Sequence, residues 1–509
     1  MTHPSRRSRF LVAGVAVATA IGLFATMAPT VATAAPSAVS ASTASATTTA
    51  GTTYVVLYRQ GASGVDAAAA VASAGGSIVA NHQVIGVVVA RSTNAGFAAA
   101  MKQAQGVESV SATTGFATRA QTEQAPSTAA TVATAATWGD SLSKFQWDMA
   151  QINVPAAHAV TTGSKSVLVA DLDTGLDFTH PDLAPAYDAA NSTDCSSGSP
   201  SALLVGNDKN GHGTHTAGTI AAAANGTGIV GVAPGIRLAG VKSSNDDGFF
   251  FPEMVICAYM WVATHGVAVT NNCYFADPWL FNCKNDPDQR AIWNAERRAI
   301  RYAQSQGTTV IAAEGNESTD LSHPTVDVIS PDFPPGSEQF RVITNACAVV
   351  PVEVPGVVGV TATGNRRMKS FYSSYGISTA DVAAPGGDSI LQVTAAAPNG
   401  RVLSTWPTGN ACRRLVVDAG ASYCYLQGTS MASPHAVGVA ALIASQTGKR
   451  GGALAAALQQ ATNPIACPSD TSAYDRFPQN SGAPQACTGG PAHNSWFGSG
   501  EVDALQAVQ

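Results

Sequence analysis

The sequence predicts an α/β protein with a mostly parallel sheet flanked by helices, preceded by a smaller α+β unit. Beyond Trp138, short apolar runs alternate with segments of helix length, which is typical of parallel strands joined by helical crossovers. Between Tyr54 and Val110 the elements are shorter and follow a different order. The low-complexity stretch Thr122–Thr137 separates the two regions. We therefore expect two folded units in the 509 residues.

The first 34 residues have the features of a secretory signal peptide. Three arginines precede the uncharged stretch Phe10–Ala28, and Ala32-Thr33-Ala34 follows as a small-residue cleavage signal. A retained membrane anchor is the alternative, because the apolar stretch is long for a signal-peptide core. Glycines and threonines within that stretch reduce its hydrophobicity. We expect a secreted, extracellular protein without stable membrane association.

The unit that follows begins after an Ala/Ser/Thr-rich spacer at Ala35–Thr52, and its pattern is βαββαβ. The predicted strands are Tyr54–Tyr58, Gly76–Val79, Val84–Val89 and Val107–Val110, and the predicted helices are Gly64–Ala74 and Asn94–Gln105. This order is that of a ferredoxin-like fold. The unit could be an independent binding module, but its position between a signal peptide and a linker favours a pro-segment.

The C-terminal region carries the buried strands and longer helices of the predicted parallel sheet. The strands are predicted at Ser166–Ala170, Val267–Thr270 and Thr308–Ala313, and the helices at His212–Ala224, Met254–His265, Asp288–Gln306 and Ser433–Thr447. Sites in such sheets lie at the carboxyl ends of the strands.

Three short segments supply an acid, a base and a nucleophile, in that order along the chain. Asp173 ends an apolar run directly before Thr-Gly, His212 lies between two glycines, and Ser430 precedes an apolar helix. Peptide hydrolysis by a serine needs a base that takes the hydroxyl proton and an acid that orients this base. Asp171 and His215 are alternatives for the acid and the base.

The flanks of these residues resemble those of the subtilisin-like serine proteases, the subtilases. The similarity runs from about Trp147 to the closing segment Phe497–Ala504. The family pattern has the acid directly before Thr-Gly and the base at the first histidine of the pair. The resemblance therefore implies Asp173, His212 and Ser430 as a catalytic triad.

The resemblance also implies a domain organisation. Residues 1–34 are expected to be the signal peptide, 53–118 a propeptide that assists folding and then inhibits, 119–138 a linker and processing region, and 139–509 a subtilisin-like peptidase domain.

A further residue resembles the family's oxyanion donor. Asn316 follows the strand Thr308–Ala313, and a neutral amide there can stabilise negative charge that develops on the substrate. The alternative is an ordinary loop asparagine. The backbone N–H of Ser430, at a helix N-terminus, is the expected second donor.

Two segments depart from the family pattern and affect only substrate preference. The sequence Asn271–Phe275 stands where most subtilases have Ser-Leu-Gly, and Glu314 stands where a small apolar residue is usual. An aromatic run at 249–251 lies where the family pairs with substrate, and lines either a subsite or the core. The resulting candidate substrate-binding residues are Gly248, Phe249, Cys273, Tyr274, Phe275 and Glu314.

The chemistry requires no cofactor, but a structural calcium ion is one expectation. Asp182 and Asn225 match two oxygen ligands of a family calcium site. The alternative is a plain loop stabilised by an Asx-type turn.

Nine cysteines suit an oxidising compartment. Cys412–Cys424 and Cys467–Cys487 each close a short loop and are predicted disulfides, with Cys283–Cys347 as a weaker candidate. The odd count leaves at least one free thiol or one intermolecular bond.

Taken together, these features predict a secreted serine endopeptidase that acts on protein or peptide substrates, with its own propeptide as an intramolecular inhibitor. A net charge of −6 without long Lys/Arg runs argues against a nucleic-acid partner. An exopeptidase that releases short peptides and a non-catalytic binding scaffold are the alternatives. We expect a monomer.

Overall fold

The computed structural model describes residues 51–62, 66–113, 139–275 and 279–509. The predicted signal peptide, the last residues of the predicted propeptide and the whole predicted linker and processing region lie outside these residues, so the predicted boundaries of those segments stay predictions.

The N-terminal unit has the predicted βαββαβ order. Its elements are β1 Thr52–Tyr58, α1 Ala67–Ser73, β2 Gly76–His82, β3 Val87–Ser92, α2 Phe97–Lys102 and β4 Val107–Ala112. The four strands form an antiparallel sheet in the order β2-β3-β1-β4, which is the ferredoxin-like arrangement. Because side chains alternate along a strand, Val56 packs against the two helices while Val55 and Leu57 face the other way.

The remaining elements begin at Trp147. The helices are α3 Trp147–Gln151, α4 Val154–His158, α5 His212–Ala221, α6 Pro252–Thr264, α7 Pro287–Ser305, α8 Thr429–Thr447 and α9 Gly451–Gln460. The first strands are β5 Leu168–Asp173, β6 Thr193–Asp194, β7 Arg237–Lys242, β8 Val269–Asn272, β9 Asn282–Cys283, β10 Thr309–Ala313, β11 Val326–Asp327, β12 Arg341–Val342 and β13 Cys347–Ala348. The later strands are β14 Val358–Thr363, β15 Ala380–Pro385, β16 Val402–Trp406, β17 Leu415–Asp418, β18 Ala421–Leu426, β19 Thr462–Asn463, β20 Gly489–Gly490, β21 His493–Asn494 and β22 Glu501–Val502.

Nine of these strands form one sheet, in the order β19-β22-β15-β14-β10-β8-β5-β7-β6. Every pairing within it is parallel except that of the edge strand β19 with β22. This confirms the predicted mostly parallel sheet.

Both faces of the sheet are covered by helices, as the continuous apolar character of its strands predicts. Leu168, Ala170 and Leu172 of β5 lie in the apolar cluster formed with α6 and α7. Val169 lies in the cluster formed with α5, α8 and α9 on the opposite face. The central strand β5 therefore runs between two helical layers.

The N-terminal unit packs on helices α6 and α7. Val55 and Leu57 of β1 share an apolar cluster with Tyr259 of α6 and Trp293 of α7. At the edge of this contact, Arg298 of α7 donates to the carbonyl oxygen of Tyr58 over 2.8 Å. It also donates to those of Ile85 and Gly86 over 3.4 Å, and pairs with Glu108 of β4 over 2.6 Å.

Four disulfides link residues of the C-terminal region. Cys412–Cys424, Cys467–Cys487 and Cys283–Cys347 are the predicted pairs, and the structure confirms them. Cys195–Cys257, whose partners lie 62 residues apart, was not predicted. Cys273 is the free thiol among the described residues, and it is buried. Within the described ranges, no helix combines the length and the apolarity needed to cross a bilayer.

Candidate active site

The sheet topology brings the four predicted catalytic residues to one edge of the sheet. Asp173 is the last residue of β5, and Asn316 follows the end of β10 by three positions. His212 is the first residue of α5, and Ser430 is the second residue of α8. Strand carboxyl ends and helix N-termini meet at this edge, as expected for a site in a parallel sheet.

Glycines allow α5 to approach the end of β5. A Cβ at Gly213 would collide with the carbonyl oxygen of Gly175 and would lie 3.1 Å from the Cβ of Asp173. Gly211 has φ +95°, a conformation that favours glycine, and a Cβ there would collide with Trp406. Steric crowding therefore explains why glycine occupies both positions that flank His212.

Asp173 and His212 form a buried pair. His212 Nδ1 lies 2.7 Å from Asp173 Oδ1, which also accepts the Thr174 N–H over 2.7 Å. Burial lowers the pKa of His212, but the charge and hydrogen bond of Asp173, together with the charges of Asp171 and Asp208, outweigh this and raise it. His212 Nε2 has no hydrogen-bond partner within the part of the chain that the structure describes. The imidazole is thus oriented through Nδ1 and has Nε2 available.

The hydroxyl of Ser430 does not bond to His212 in this structure. Ser430 Oγ donates instead to the carbonyl oxygen of Cys273 over 3.5 Å. Catalytic hydrogen bonds are often long or misaligned before substrate binds.

Asn316 is oriented by the residue before Ser430. Its Oδ1 accepts hydrogen bonds from the backbone N–H of Thr429 over 2.9 Å and from Thr429 Oγ1 over 3.0 Å. This contact fixes which end of the amide is the oxygen, and Nδ2 has no acceptor within the ranges that the structure describes. The N–H of Ser430 likewise donates to no acceptor among the described residues. Two donor groups, Asn316 Nδ2 and the Ser430 N–H, therefore lie at the N-terminus of α8 without an acceptor among the described residues.

The candidate substrate-binding residues lie in and around this edge, with an aromatic layer beside them. Tyr274 stacks on Phe250, with ring centroids 4.4 Å apart, and Phe249 packs edge-on against Phe333. Phe275 is buried, and Gly248 forms a tight turn with φ +86°. The aromatic run at 249–251 therefore contributes mainly to packing, with Phe250 fully buried.

Glu314 is committed to the neighbouring strand rather than to the other candidate residues. Its Oε2 accepts from Thr379 Oγ1 over 3.1 Å, and its Oε1 occupies the space that a side chain at Gly359 would need. Burial raises the pKa of Glu314 well above its usual range. The strand alternation that points Ala313 to one face points Glu314 to the other.

Two carboxylates near the site were missed. Asp208 accepts hydrogen bonds from Thr174 Oγ1, from the Gly211 N–H and from Thr214, and so fixes the loop before His212. Glu317 lies beside Gly315 and accepts from a serine hydroxyl, and burial raises its pKa to about 7. An acid four residues before His212 was the available sequence signal for Asp208. Glu317 carried no such signal.

The rival acid and base lie in other surroundings. His215 Nε2 is 3.0 Å from the carbonyl oxygen of Cys424, and burial with the charge of His212 lowers its pKa to about 3. Asp171 accepts from the side chains of Asn271 and Thr216 instead of from a histidine. Neither residue takes part in the Asp173–His212 pair.

Asp182 and Asn225, the two predicted calcium ligands, lie together and are joined by a hydrogen bond. Asn225 presents its amide nitrogen, not its oxygen, to Asp182 Oδ1 over 3.0 Å. Asp182 Oδ2 accepts from the Tyr423 hydroxyl over 3.0 Å and from the Ile229 N–H over 3.2 Å. The carboxylate is thus surrounded by donors, and no group of three or more acids, cysteines or histidines in the described ranges could hold a metal ion. The loop is closed here by these hydrogen bonds, and calcium binding at Asp182 and Asn225 stays a prediction.

Comparison with known proteins places the chain among the serine peptidases. The profile described as the subtilase family matches residues 164–479. Subtilisin BL of Lederbergia lenta is 32% identical over 298 residues, which cover 58% of this chain and 83% of that protein. Fervidolysin of Fervidobacterium pennivorans is 29% identical over 338 residues, which cover 61% of this chain but only 39% of fervidolysin.

A solved structure shows the same fold. The crystal structure of the epidermin leader peptide processing serine protease of Staphylococcus aureus aligns with a TM-score of 0.63 at 21% identity. The alignment covers 90% of this chain and 97% of that one. With the family profile matching more than half of its length, the chain belongs to the subtilase family of serine peptidases.

Proposed function

We propose that this subtilase is a secreted endopeptidase that hydrolyses peptide bonds through an acyl-enzyme on Ser430. The observation that carries the proposal is the buried pair of His212 and Asp173, whose Nδ1–Oδ1 distance is 2.7 Å, at the same sheet edge as Ser430. A histidine oriented in this way is a general base with Nε2 directed away from its carboxylate partner.

The proposed reaction proceeds in two displacements. Ser430 Oγ attacks the peptide carbonyl carbon while His212 Nε2 takes the hydroxyl proton. Collapse of the tetrahedral intermediate breaks the C–N bond, and His212 gives that proton to the leaving amine. Water then attacks the acyl-enzyme by the same route and releases the acid product.

The remaining residues of the site stabilise the charges that develop during the reaction. Asp173 stabilises the imidazolium, and the two free donors, Asn316 Nδ2 and the Ser430 N–H, stabilise the oxyanion. The orientation of Asn316 by Thr429 supports this role, because it leaves only the donor end of the amide free.

The N-terminal unit is proposed to be an inhibitory propeptide. It buries apolar side chains against α6 and α7 of the peptidase domain, and Arg298 holds its strand ends at the edge of that contact. Its last described residue, Thr113, is tied to β1 by a 2.9 Å backbone bond to Thr53. Export is supported by the four disulfides, which persist in oxidising compartments.

The test is Ser430→Ala, combined with labelling by a serine-directed fluorophosphonate. The variant should keep its fold and lose at least about a thousandfold of peptide hydrolysis, because only the nucleophilic oxygen is removed. The parent enzyme should be labelled at Ser430 and the variant should not. Hydrolysis within tenfold of the parent would contradict the assignment. Mass analysis of a long peptide substrate distinguishes internal cleavage from release of short terminal peptides.

A further inference from the structure

A second carboxyl group lies behind the Asp173–His212 pair. Asp171 is two residues before Asp173 on β5, so both side chains project from the same face of the strand. Asp171 is only 3% exposed and forms no ion pair with Lys or Arg among the described residues. A buried, unpaired acid is costly, and it therefore calls for an explanation.

Asp171 forms side-chain hydrogen bonds with helix α5 and with strand β8. Its Oδ2 is 2.7 Å from Thr216 Oγ1, which lies on α5 one turn after His212. Its Oδ1 accepts from Asn271 Nδ2 of β8 over 2.8 Å. Asp171 thus links the strand of the acid to the helix of the base.

The same network reaches the helix of the nucleophile. Asn271 Oδ1 accepts from Ser433 Oγ of α8 over 2.7 Å. The Cys273 thiol lies 3.5 Å from Asn271 Oδ1 and 3.5 Å from the carbonyl oxygen of Ser430. That carbonyl lacks its usual helical partner because residue 434 is a proline without an N–H. A single buried network therefore connects β5, α5 and α8.

We propose that Asp171 is a positioning residue of the catalytic centre, which ties the three catalytic elements together while neutral and strengthens the base when it loses its proton. The proposal rests on the proposed function for its effect on turnover. Its effect on folding stability does not depend on that function.

The geometry accommodates both protonation states without moving a heavy atom. In the neutral state the proton lies on Oδ2 and is donated to Thr216 Oγ1, whose own hydrogen turns to the carbonyl oxygen of Gly213, 3.0 Å away. In the ionised state the Thr216 hydroxyl turns back and donates to Oδ2. Asn271 donates to Oδ1 in both states.

The charged and titratable neighbours of Asp171 explain when it loses the proton. Burial and then the charge of Asp173 raise its pKa to about 8, against the hydrogen bonds from Asn271 and Thr216 and the charge of His212 on α5. The Cys273 thiol, beyond the end of β8, stays neutral because burial and the charges of Asp173 and Asp171 raise its pKa. Asp171 is thus neutral at pH 7 and charged above about pH 8.

Two measurable consequences follow from this titration. The new charge stabilises the imidazolium that forms in the transition state, so kcat/KM should rise a second time, by about two- to tenfold, as pH passes 8. The folded-state pKa lies above the unfolded one, so the stabilising contribution of the neutral Asp171 carboxyl is complete only below its unfolded pKa. Its contribution is lost progressively as pH rises towards 8.

The test compares Asp171→Asn with the parent between pH 6 and 10. Asparagine keeps the shape and both hydrogen bonds but cannot ionise. We expect kcat/KM within about threefold of the parent at pH 6.5, and a profile without the second rise. Asp177→Asn, a carboxylate of the following loop that bonds to Thr179, is the matched control and should leave the profile unchanged. A parent and an Asp171→Asn profile that coincide up to pH 10 would overturn the proposal.

Two further variants separate charge from structure. Thr216→Val removes a hydrogen bond that favours ionisation and should move the second rise to higher pH. Asp171→Leu should lose more than about tenfold of kcat/KM at every pH, because the three elements lose their common anchor. If it does not fold, the Asp171→Asn and Thr216→Val profiles still decide the proposal. Unchanged activity of a folded Asp171→Leu would overturn the positioning role.

Stability provides a readout that does not need proteolysis. In the Ser430→Ala background, Asp171→Asn should raise the midpoint of thermal unfolding relative to Asp171, and by more at pH 8 than at pH 5. An equal effect at both pH values would count against a titrating Asp171. If the fluorophosphonate does not label the parent, the proposed function fails, whereas this pH-dependent stability difference remains to support or refute the buried acid.

Discussion

Asn316 is held at one end only, and this determines what its amide can do. Both contacts of its side chain are made by Oδ1 with Thr429, the residue directly before Ser430. Its Nδ2 donates to no acceptor in the described part of the chain, as the proposed role of oxyanion donor requires.

We predict that Asn316→Ala lowers kcat by about 100- to 1000-fold with little change in KM. The reason is that the hydrogen bond strengthens only when the carbonyl oxygen becomes an oxyanion. Steady-state kinetics on a peptide substrate measure both constants. Asn345→Ala, which removes an exposed asparagine that bonds to a loop carbonyl, is the control and should change neither. A rise in KM at unchanged kcat would assign Asn316 to substrate binding instead.

For single residues, the sequence predicted the candidate catalytic side chains but not the residues that hold them in place. Asp173 and His212 stand in short segments whose flanking glycines have local steric causes, so the segments themselves carry the signal. Ser430 is marked by the apolar helix that follows it. The bond between Asp171 and Asn271 joins residues 100 positions apart. No local pattern can indicate such a contact, because the topology of the sheet creates it.

Among the secondary-structure elements, helix α8 begins four residues earlier than predicted. The sequence predicted a helix over Ser433–Thr447. The helix begins at Thr429, and Pro434 lies inside it. The helical turn thus gained before Pro434 contains Ser430, and its N–H groups point out of the helix end. The apolar pattern alone could not indicate this turn.

The loop at 225–229 and hairpin β17–β18 lead to a prediction about metal dependence. Because Tyr423 and Ile229 already donate to Asp182, we expect a chelator to leave the midpoint of thermal unfolding unchanged. Tyr423→Phe should lower that midpoint by a few degrees, since the buried carboxylate loses a donor worth about 1–2 kcal/mol. Tyr302→Phe on α7 is the control. A fall in the midpoint with chelator, reversed by calcium, would instead bear out the predicted calcium site.

Helix α7 carries the polar anchor for the N-terminal unit, and Arg298 is its main residue. We predict that Arg298→Ala weakens binding of the unit about tenfold or more. Three carbonyl oxygens and Glu108 lose a largely buried guanidinium partner. The dissociation constant of the cleaved unit measures this, and Arg301→Ala, exposed on the same helix, is the control. Equal affinities of the two variants would show that the apolar contact alone determines docking.

For the whole molecule, the two folded units and their fold classes could be predicted, but their contact could not. The βαββαβ order and the strand–helix alternation are each visible within a continuous stretch of sequence. The faces that meet, Val55 and Leu57 of β1 against α6 and α7, look like ordinary core positions of either unit. The pattern of apolar residues says that they are buried and does not say what covers them.

The docked arrangement motivates a last prediction, that the precursor cuts itself between about Thr113 and Trp138. Thr113 ends the described part of the N-terminal unit, and the Ala/Thr-rich residues beyond it have no apolar periodicity that a cut would disrupt.

The Ser430→Ala precursor, expressed without other proteases, should keep this segment intact after signal removal. The parent should yield two chains, with the N-terminal one bound to α6 and α7 as an inhibitor until it is digested. N-terminal sequencing of the secreted species locates the cut. Trimming of purified Ser430→Ala precursor at the same bond would require a separate processing protease, and full activity of the mixture immediately after the cut would exclude the inhibitory role.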